Sequence, residues 1–223
     1  MKKGDNRFDW DTIKQDWPLW VLMIGFLIGA FFLYPHLPEQ VPSHWNLKGE
    51  VDSYTTRTLG AFLMPVLAII LYLTMILVSV IDPRRENYVR FKNAYRLMRW
   101  IMVLFLGGLY VLTMLFSLGY DINIGLIVKA GVALLLAVIG NFMGQFRHNY
   151  FVGIKTPWTL ANEKVWNQTH RFGGRIWVAG GLVCLAMSPL NALWANYLYF
   201  ASIMLMAFVP MVYSYLLYRR IVG

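Results

Sequence analysis

Seventeen of the 20 lysines and arginines in this chain sit in four polar stretches, 1–16, 82–99, 145–175 and the pair Arg219-Arg220. Apolar runs separate these stretches from three other connections, 36–58, 119–123 and 191–196, which hold only Lys48 and Arg57. Lys129 lies inside an apolar run. Only 14% of residues are charged and 58% are hydrophobic, where a soluble domain carries about 25% charged residues. Uncharged runs of about 20 residues are the signature of membrane-spanning helices, and cations collect in cytoplasmic loops. The pattern predicts an all-α, polytopic membrane protein of six transmembrane helices, with both termini in the cytoplasm. The net charge of +9 is then an orientation signal, and no direct nucleic-acid binding is expected. The single cysteine, Cys184, excludes an intramolecular disulfide and a cysteine metal cluster. The start of the chain is polar through Asp16, and the first apolar run lacks a small-residue cleavage site, so no cleavable signal peptide is expected.

In chain order, 1–16 reads as a cytoplasmic tail in which Phe8, Trp10, Ile13 and Trp17 can share one face of a short interfacial helix. Residues 17–81 form a first helical hairpin, with spans near 17–34 and 59–81 and an outward loop at 36–58. Pro38 and Pro42 oppose helix in that loop, and Asn46–Gly49 is turn chemistry, so it reads as an ordered loop or small β-hairpin. Asp82-Pro83 is a cap followed by proline at the first helical position, opening a basic amphipathic segment over 82–99. Residues 100–223 form a four-helix membrane domain. Its spans fall near 100–118, 124–144, 176–190 and 197–218, and it carries the cytoplasmic loop 145–175.

That loop is the longest polar segment between two very apolar runs. Thr156-Pro157 starts a helix there. Ala161, Val165, Thr169, Phe172 and Ile176 fall on one face, and Lys164, Gln168, Arg171 and Arg175 on another. A basic stripe of this kind suits anionic lipid headgroups and equally a cytoplasmic protein partner. The preceding turn, Gly153 to Trp158, joins a flexible glycine, a cation and a rigid Pro-Trp pair.

The outward loop offers His36, Glu39, His44, Glu50 and Asp52, but their spacing matches no metal-ligand pattern, and no metal or cofactor is expected. Lys129 is placed to snorkel or to pair with Asp121, and Asn141 to bond across helices. Gly107-Gly108 and Gly180-Gly181 suggest close helix packing. There is no H-E-x-x-H, G-x-S-x-G or glycine-rich phosphate loop, and Ser188 and Ser214 lack His and Asp partners. The chain reads as a non-enzyme. A small transporter or exporter is the alternative, with only Lys129, Asn141 and scattered Ser and Thr to line a polar pathway.

Two stretches resemble the SdpI-type bacterial immunity proteins. The outward loop, LPEQVPSHWNLKGEVDSY, is similar to the pattern P-x-x-[IV]-P-x-H-W-x-x-x-G-x-x-D-x-[YW], through Pro38, Val41, Pro42, His44, Trp45, Gly49, Asp52 and Tyr54. The inner stretch matches the pattern G-N-x-M followed by N-x-x-x-G-[IL]-[RK]-T-P-W-T-L-x-[ND]-E-x-V-W-x-x-T-[HN]-R-x-x-G. It does so through Gly140, Asn141, Met143, Gly153, Lys155, Thr156, Pro157, Trp158, Thr159, Leu160, Glu163, Val165, Trp166, Thr169, His170, Arg171 and Gly174. The resemblance implies a multi-pass protein of the bacterial plasma membrane that protects its cell against a secreted toxic peptide. It also implies a sensor that, on meeting toxin outside, holds a cytoplasmic winged-helix repressor at the membrane. On that reading Pro38, Pro42, His44, Trp45, Gly49 and Asp52 shape outer recognition. Lys155, Thr156, Pro157, Trp158, Glu163, Trp166, Thr169, His170 and Arg171 form the partner surface inside.

Overall fold

The computed structural model describes residues 10–46 and 49–223, with side chains from residue 13 onward. Phe8, most of the N-terminal tail and Lys48 lie outside the described residues. The elements are α1 (Trp10–Gln15), α2 (Trp17–Leu33), β1 (Gln40–Trp45), β2 (Val51–Thr56), α3 (Arg57–Ile81), α4 (Lys92–Ser117), α5 (Ile124–Met143), α6 (Pro157–Ala161), α7 (Glu163–Met187) and α8 (Leu193–Val222). The protein is an all-α, multi-pass membrane protein with one small β-hairpin. Five helical stretches are long and apolar enough to cross a bilayer: those of α2, α3, α4, α5 and α8. The remaining expected span lies in the second half of α7. The first half of α7 carries Glu163, Lys164, Arg171 and Arg175, which leaves an apolar run shorter than the roughly 20 residues of a typical crossing.

Two boundaries differ from the sequence expectation. The helix expected to run on from Pro157 breaks at Asn162, whose backbone is extended (φ −143°, ψ 122°). Asn162 caps α7 instead, its side chain accepting from Lys164 N and Val165 N, the bond that makes asparagine a preferred helix start. The 82–99 segment is not a separate amphipathic helix. It is a 3₁₀ stretch over Arg85–Phe91 that leads into α4, and α4 runs unbroken past residue 99 into the span.

The chain divides into two compact units, each discontinuous in sequence. One comprises Asp9–Ile76 with Arg99–Lys129. Its core packs Ala30, Leu37, Val41, Ala61, Tyr110 and Met114 around the hairpin, and Leu19, Met23, Tyr72 and Val103 further along the helices. Gly107 lies where a Cβ would collide with the ring of Phe26, which makes it the close contact expected there, while Gly108 faces open space. At one end of this unit the Arg99 guanidinium and the Asp16 carboxylate form an ion pair with no exposure on either side chain. Arg99 donates to Oδ2 from Nε (2.9 Å) and Nη2 (2.6 Å). Trp100 Nε1 donates to Oδ1 (2.9 Å), and Tyr72 OH donates to Oδ2 (3.2 Å).

The other unit comprises Leu77–Met98 with Ala130–Gly223, and Ala133, Cys184, Tyr199 and Met206 form its apolar core. Here α5 and α7 touch backbone to backbone. A Cβ on Gly140 would fall 2.9 Å from Gly174 O, and one on Gly181 would fall 2.8 Å from Ala137 N. Small residues allow this approach, and dispersion is the main reward for helix contact in lipid. Gly180 packs on Met206, and Trp177 Nε1 donates to Met206 O (2.8 Å), which fastens α7 to α8.

Candidate functional site

The loop between α5 and α6 is built on a buried Asn149. Its Oδ1 accepts from Phe151 N (2.9 Å) and Val152 N (2.7 Å), and its Nδ2 donates to Arg147 O (2.8 Å) and Val152 O (2.9 Å). A side-chain amide with two donors and two acceptors engaged fixes a tight turn and satisfies backbone that water cannot reach. Asp82, also buried, clamps the loop from a second stretch of chain. Its Oδ2 accepts from Tyr150 N (2.9 Å) and Tyr88 OH (3.1 Å), and its Oδ1 accepts from Arg84 N (2.7 Å). Asn87 Nδ2 donates to His148 O (2.7 Å). Residues 82–91 and 145–154 therefore form one hydrogen-bonded body.

The loop then passes over the first turns of α7. Gly153 has φ +124°, a region that side chains rarely adopt, and a Cβ there would collide with His170 Nε2. That nitrogen accepts from Ile154 N (2.8 Å), while Nδ1 lies 2.8 Å from Trp166 O. A backbone N–H needs a lone pair, so Nε2 carries no proton and Nδ1 donates to the Trp166 carbonyl. The indole of Trp166 stacks on His170 with ring centroids 4.0 Å apart and contacts His148 on another side at 5.1 Å. Its Nε1 donates to Phe146 O (2.9 Å). Thr156 and Thr159 complete the loop as a capping box at the start of α6. Thr156 Oγ1 also bonds Ser214 Oγ of α8 (2.9 Å).

This geometry divides the expected partner surface into two groups. Lys155, Pro157, Glu163 and Arg171 are exposed, and Trp158 is half-buried with its ring against Tyr215. Thr156, Trp166, Thr169 and His170 are buried; Thr156, Trp166 and His170 hold the loop's own backbone through their polar atoms and rings, while Thr169 Oγ1 has no hydrogen-bond partner among the described residues. They are scaffold, not contact surface. Sequence reasoning gave Asp82 only as a helix cap and assigned Asn149 and Tyr88 no role in this loop. The available signal was Asn149 four residues before Gly153, a spacing suited to a turn held by an asparagine side chain.

Burial pushes the His170 imidazole down to about 4, with the Trp166 carbonyl opposing the shift. Burial also lowers His148, helped by the Arg84 charge. For His170 the folded state binds fewer protons than the unfolded state between about pH 4 and 6.5. Its contribution is therefore complete above pH 6.5 and is lost as pH falls toward 4, at about 1.4 kcal/mol per unit. In ¹⁵N-histidine NMR, His170 is expected to remain the neutral Nδ1–H tautomer at pH 5.5. An imidazolium signal there would contradict the hydrogen-bond assignment.

The 36–58 loop is an antiparallel hairpin, with Val41 opposite Thr55, Pro42 opposite Tyr54 and Trp45 opposite Val51. The register shifts on either side of His44, and such bulges re-aim side chains. His44 Nδ1 meets Asp52 Oδ1 at 2.5 Å, both side chains well exposed. Trp45 packs edge-on against Phe116 at 5.9 Å. Pro42 is buried, and the exposed Pro38 lends its carbonyl to Arg57 Nε (3.3 Å). Gly49 has φ +83° and lies against the backbone of Gly125. The hairpin thus brings His44 and Asp52 together at the surface and uses Pro42, Trp45 and Gly49 to seat itself. Among the described residues no group of three or more His, Cys, Asp or Glu is placed to hold a metal ion.

Lys129 is half-buried on α5. Asn141 shows no hydrogen bond across helices among the described residues. It lies on an exposed face of α5, and its neighbour Gly140 makes the close contact with α7 instead.

A family model described as the SdpI/YfhL protein family matches residues 145–214, within the second unit. A model described as a domain of unknown function (DUF1648) matches residues 20–69, within the first. The chain is similar to the immunity protein SdpI of Bacillus subtilis (strain 168), with 28% identity over 203 residues, which is 91% of this chain and 95% of that protein. No solved structure matches.

Proposed function

We propose that this chain, which resembles the SdpI family and is similar to one of its immunity proteins over 91% of its length, is an immunity protein of the bacterial cell membrane that protects its cell against a secreted toxic peptide. The observation that carries this reading is the likeness to an immunity protein along nearly the whole chain, covering both the hairpin and the α5–α6 loop. The charge distribution supports six crossings, with the apolar half of α7 as the fifth, and puts the hairpin outside and the loop inside. A peptide arriving from outside meets the hairpin first, at the exposed His44–Asp52 pair. A cytoplasmic winged-helix repressor is the proposed partner of the inner surface, through Lys155, Pro157, Trp158, Glu163 and Arg171. The buried Thr156, Trp166, Thr169 and His170 hold that surface in shape.

Expression in a toxin-sensitive strain, challenged with the secreted peptides of a producing strain, is expected to restore growth. Unchanged killing with the protein present in the membrane would overturn the immunity reading. A Lys155→Glu, Arg171→Glu variant is expected to keep protection and to lose membrane recruitment of a fluorescently tagged repressor. Recruitment equal to wild type would remove the docking role.

A further inference from the structure

The Asn149 turn presents two adjacent aromatic side chains at the surface, Tyr150 at 41% and Phe151 at 38% exposure. They are not loose. Tyr150 N is held by the buried Asp82 carboxylate and Phe151 N by the buried Asn149 amide, while the next residue, Val152, turns inward. The loop spends buried polar groups on keeping these two rings outside. Within the loop itself the charges have one sign. No Asp or Glu occurs from Gln145 through Asn162, whereas Arg147 and Lys155 do, and both are exposed. The Arg84 guanidinium lies over the Tyr150 ring, 4.7 Å from its centroid. The rings also follow shortly after the apolar helix α5, which ends at Met143.

Aromatic rings flanked by cations, a few residues beyond the end of an apolar helix, match the chemistry of the headgroup layer. We infer that the Tyr150–Phe151 tip is an interfacial anchor that seats the α5–α6 loop in a bilayer surface rich in anionic lipid. The rings enter the boundary between headgroups and acyl chains, and Arg84, Arg147 and Lys155 meet the phosphates. A protein partner would need acidic and aromatic surface at the same place. The lipid is favoured because α5 already brings the loop to the membrane. The inference rests only on the protein being membrane-embedded, so it stands apart from the immunity reading.

The test uses the full chain in nanodiscs, with the buried Cys184 changed to Ala and a nitroxide spin label at Phe151→Cys, at Tyr150→Cys or at Lys164→Cys as the exposed reference. Collision with oxygen, which concentrates in lipid, is compared with collision with a water-soluble nickel chelate. In discs containing phosphatidylglycerol, the labels at 150 and 151 are expected to shift toward oxygen, while the label at 164 stays with nickel. In phosphatidylcholine discs that shift is expected to be lost. Labels at both 150 and 151 that stay with nickel in both lipids overturn the proposal. So does shielding that is the same in both lipids, which is packing indifferent to headgroup charge, and so does shielding that arises only when cytosolic protein is added.

Discussion

Replacing Asp16 with alanine is expected to destabilise the protein by about 3–5 kcal/mol, the usual cost of breaking a buried ion pair from one side. The carboxylate's hydrogen bonds include two from Arg99 and one each from Trp100 and Tyr72. Its loss leaves a guanidinium with no exposed surface facing a void. The effect should appear in detergent as a lowered thermal midpoint and in cells as reduced membrane abundance. Exchanging both partners for apolar residues of similar volume, Asp16→Leu with Arg99→Met, is expected to be less harmful than either single change, because no uncompensated charge remains. A double variant as unstable as the sum of the singles would show that the pair is not the source of the effect.

Trp166→Ala is expected to cost a comparable amount, about 3–5 kcal/mol, as a large buried aromatic removed from a packed site. The indole touches His170 and His148 and caps the Phe146 carbonyl, so its loss removes one wall of the loop and one hydrogen bond to its backbone. Gly153→Val should reproduce the same local collapse by another route. It introduces a Cβ at positive φ against the His170 ring, and the Ile154 N–H bond to that ring cannot survive the displacement. Protease cleavage within 145–160 on membrane vesicles is expected to become fast in both variants and to stay slow in wild type. If both variants resist cleavage like wild type, the histidine–tryptophan stack does not hold the loop.

Helix positions were legible in the sequence because a bilayer imposes a long apolar run on each crossing. The ends of α2, α3 and α5 fall within a few residues of expectation for that reason. Proline and turn chemistry likewise announced the hairpin. The interior of the α5–α6 loop was less legible. Residue types at helical spacing placed Thr169 on the apolar face, yet Trp166 and His170 are buried by the returning backbone of Gly153 and Ile154. That fold-back depends on a positive φ and on an asparagine turn, neither of which has a period. Asp16 and Arg99 looked like ordinary solvated charges, one in a tail and one on a basic segment. Their pairing depends on which helices become neighbours, and nothing local to either residue encodes that.

The same pair bears on how the protein is made. Asp16 and Arg99 are 83 positions apart, so at about 5–20 residues per second translation reaches the arginine several seconds after the aspartate. Throughout that interval the first crossing emerges with a carboxylate at its leading end and no guanidinium to meet it. The hairpin, α3 and the 82–91 stretch are all synthesised before the charge is matched. The Arg99 bonds that hold the start of α2 therefore form only once α4 has been made. An early stop before Arg99 would release a product in which the buried Asp16 carboxylate lacks its guanidinium, which gives membrane quality control a mark for removing incomplete chains.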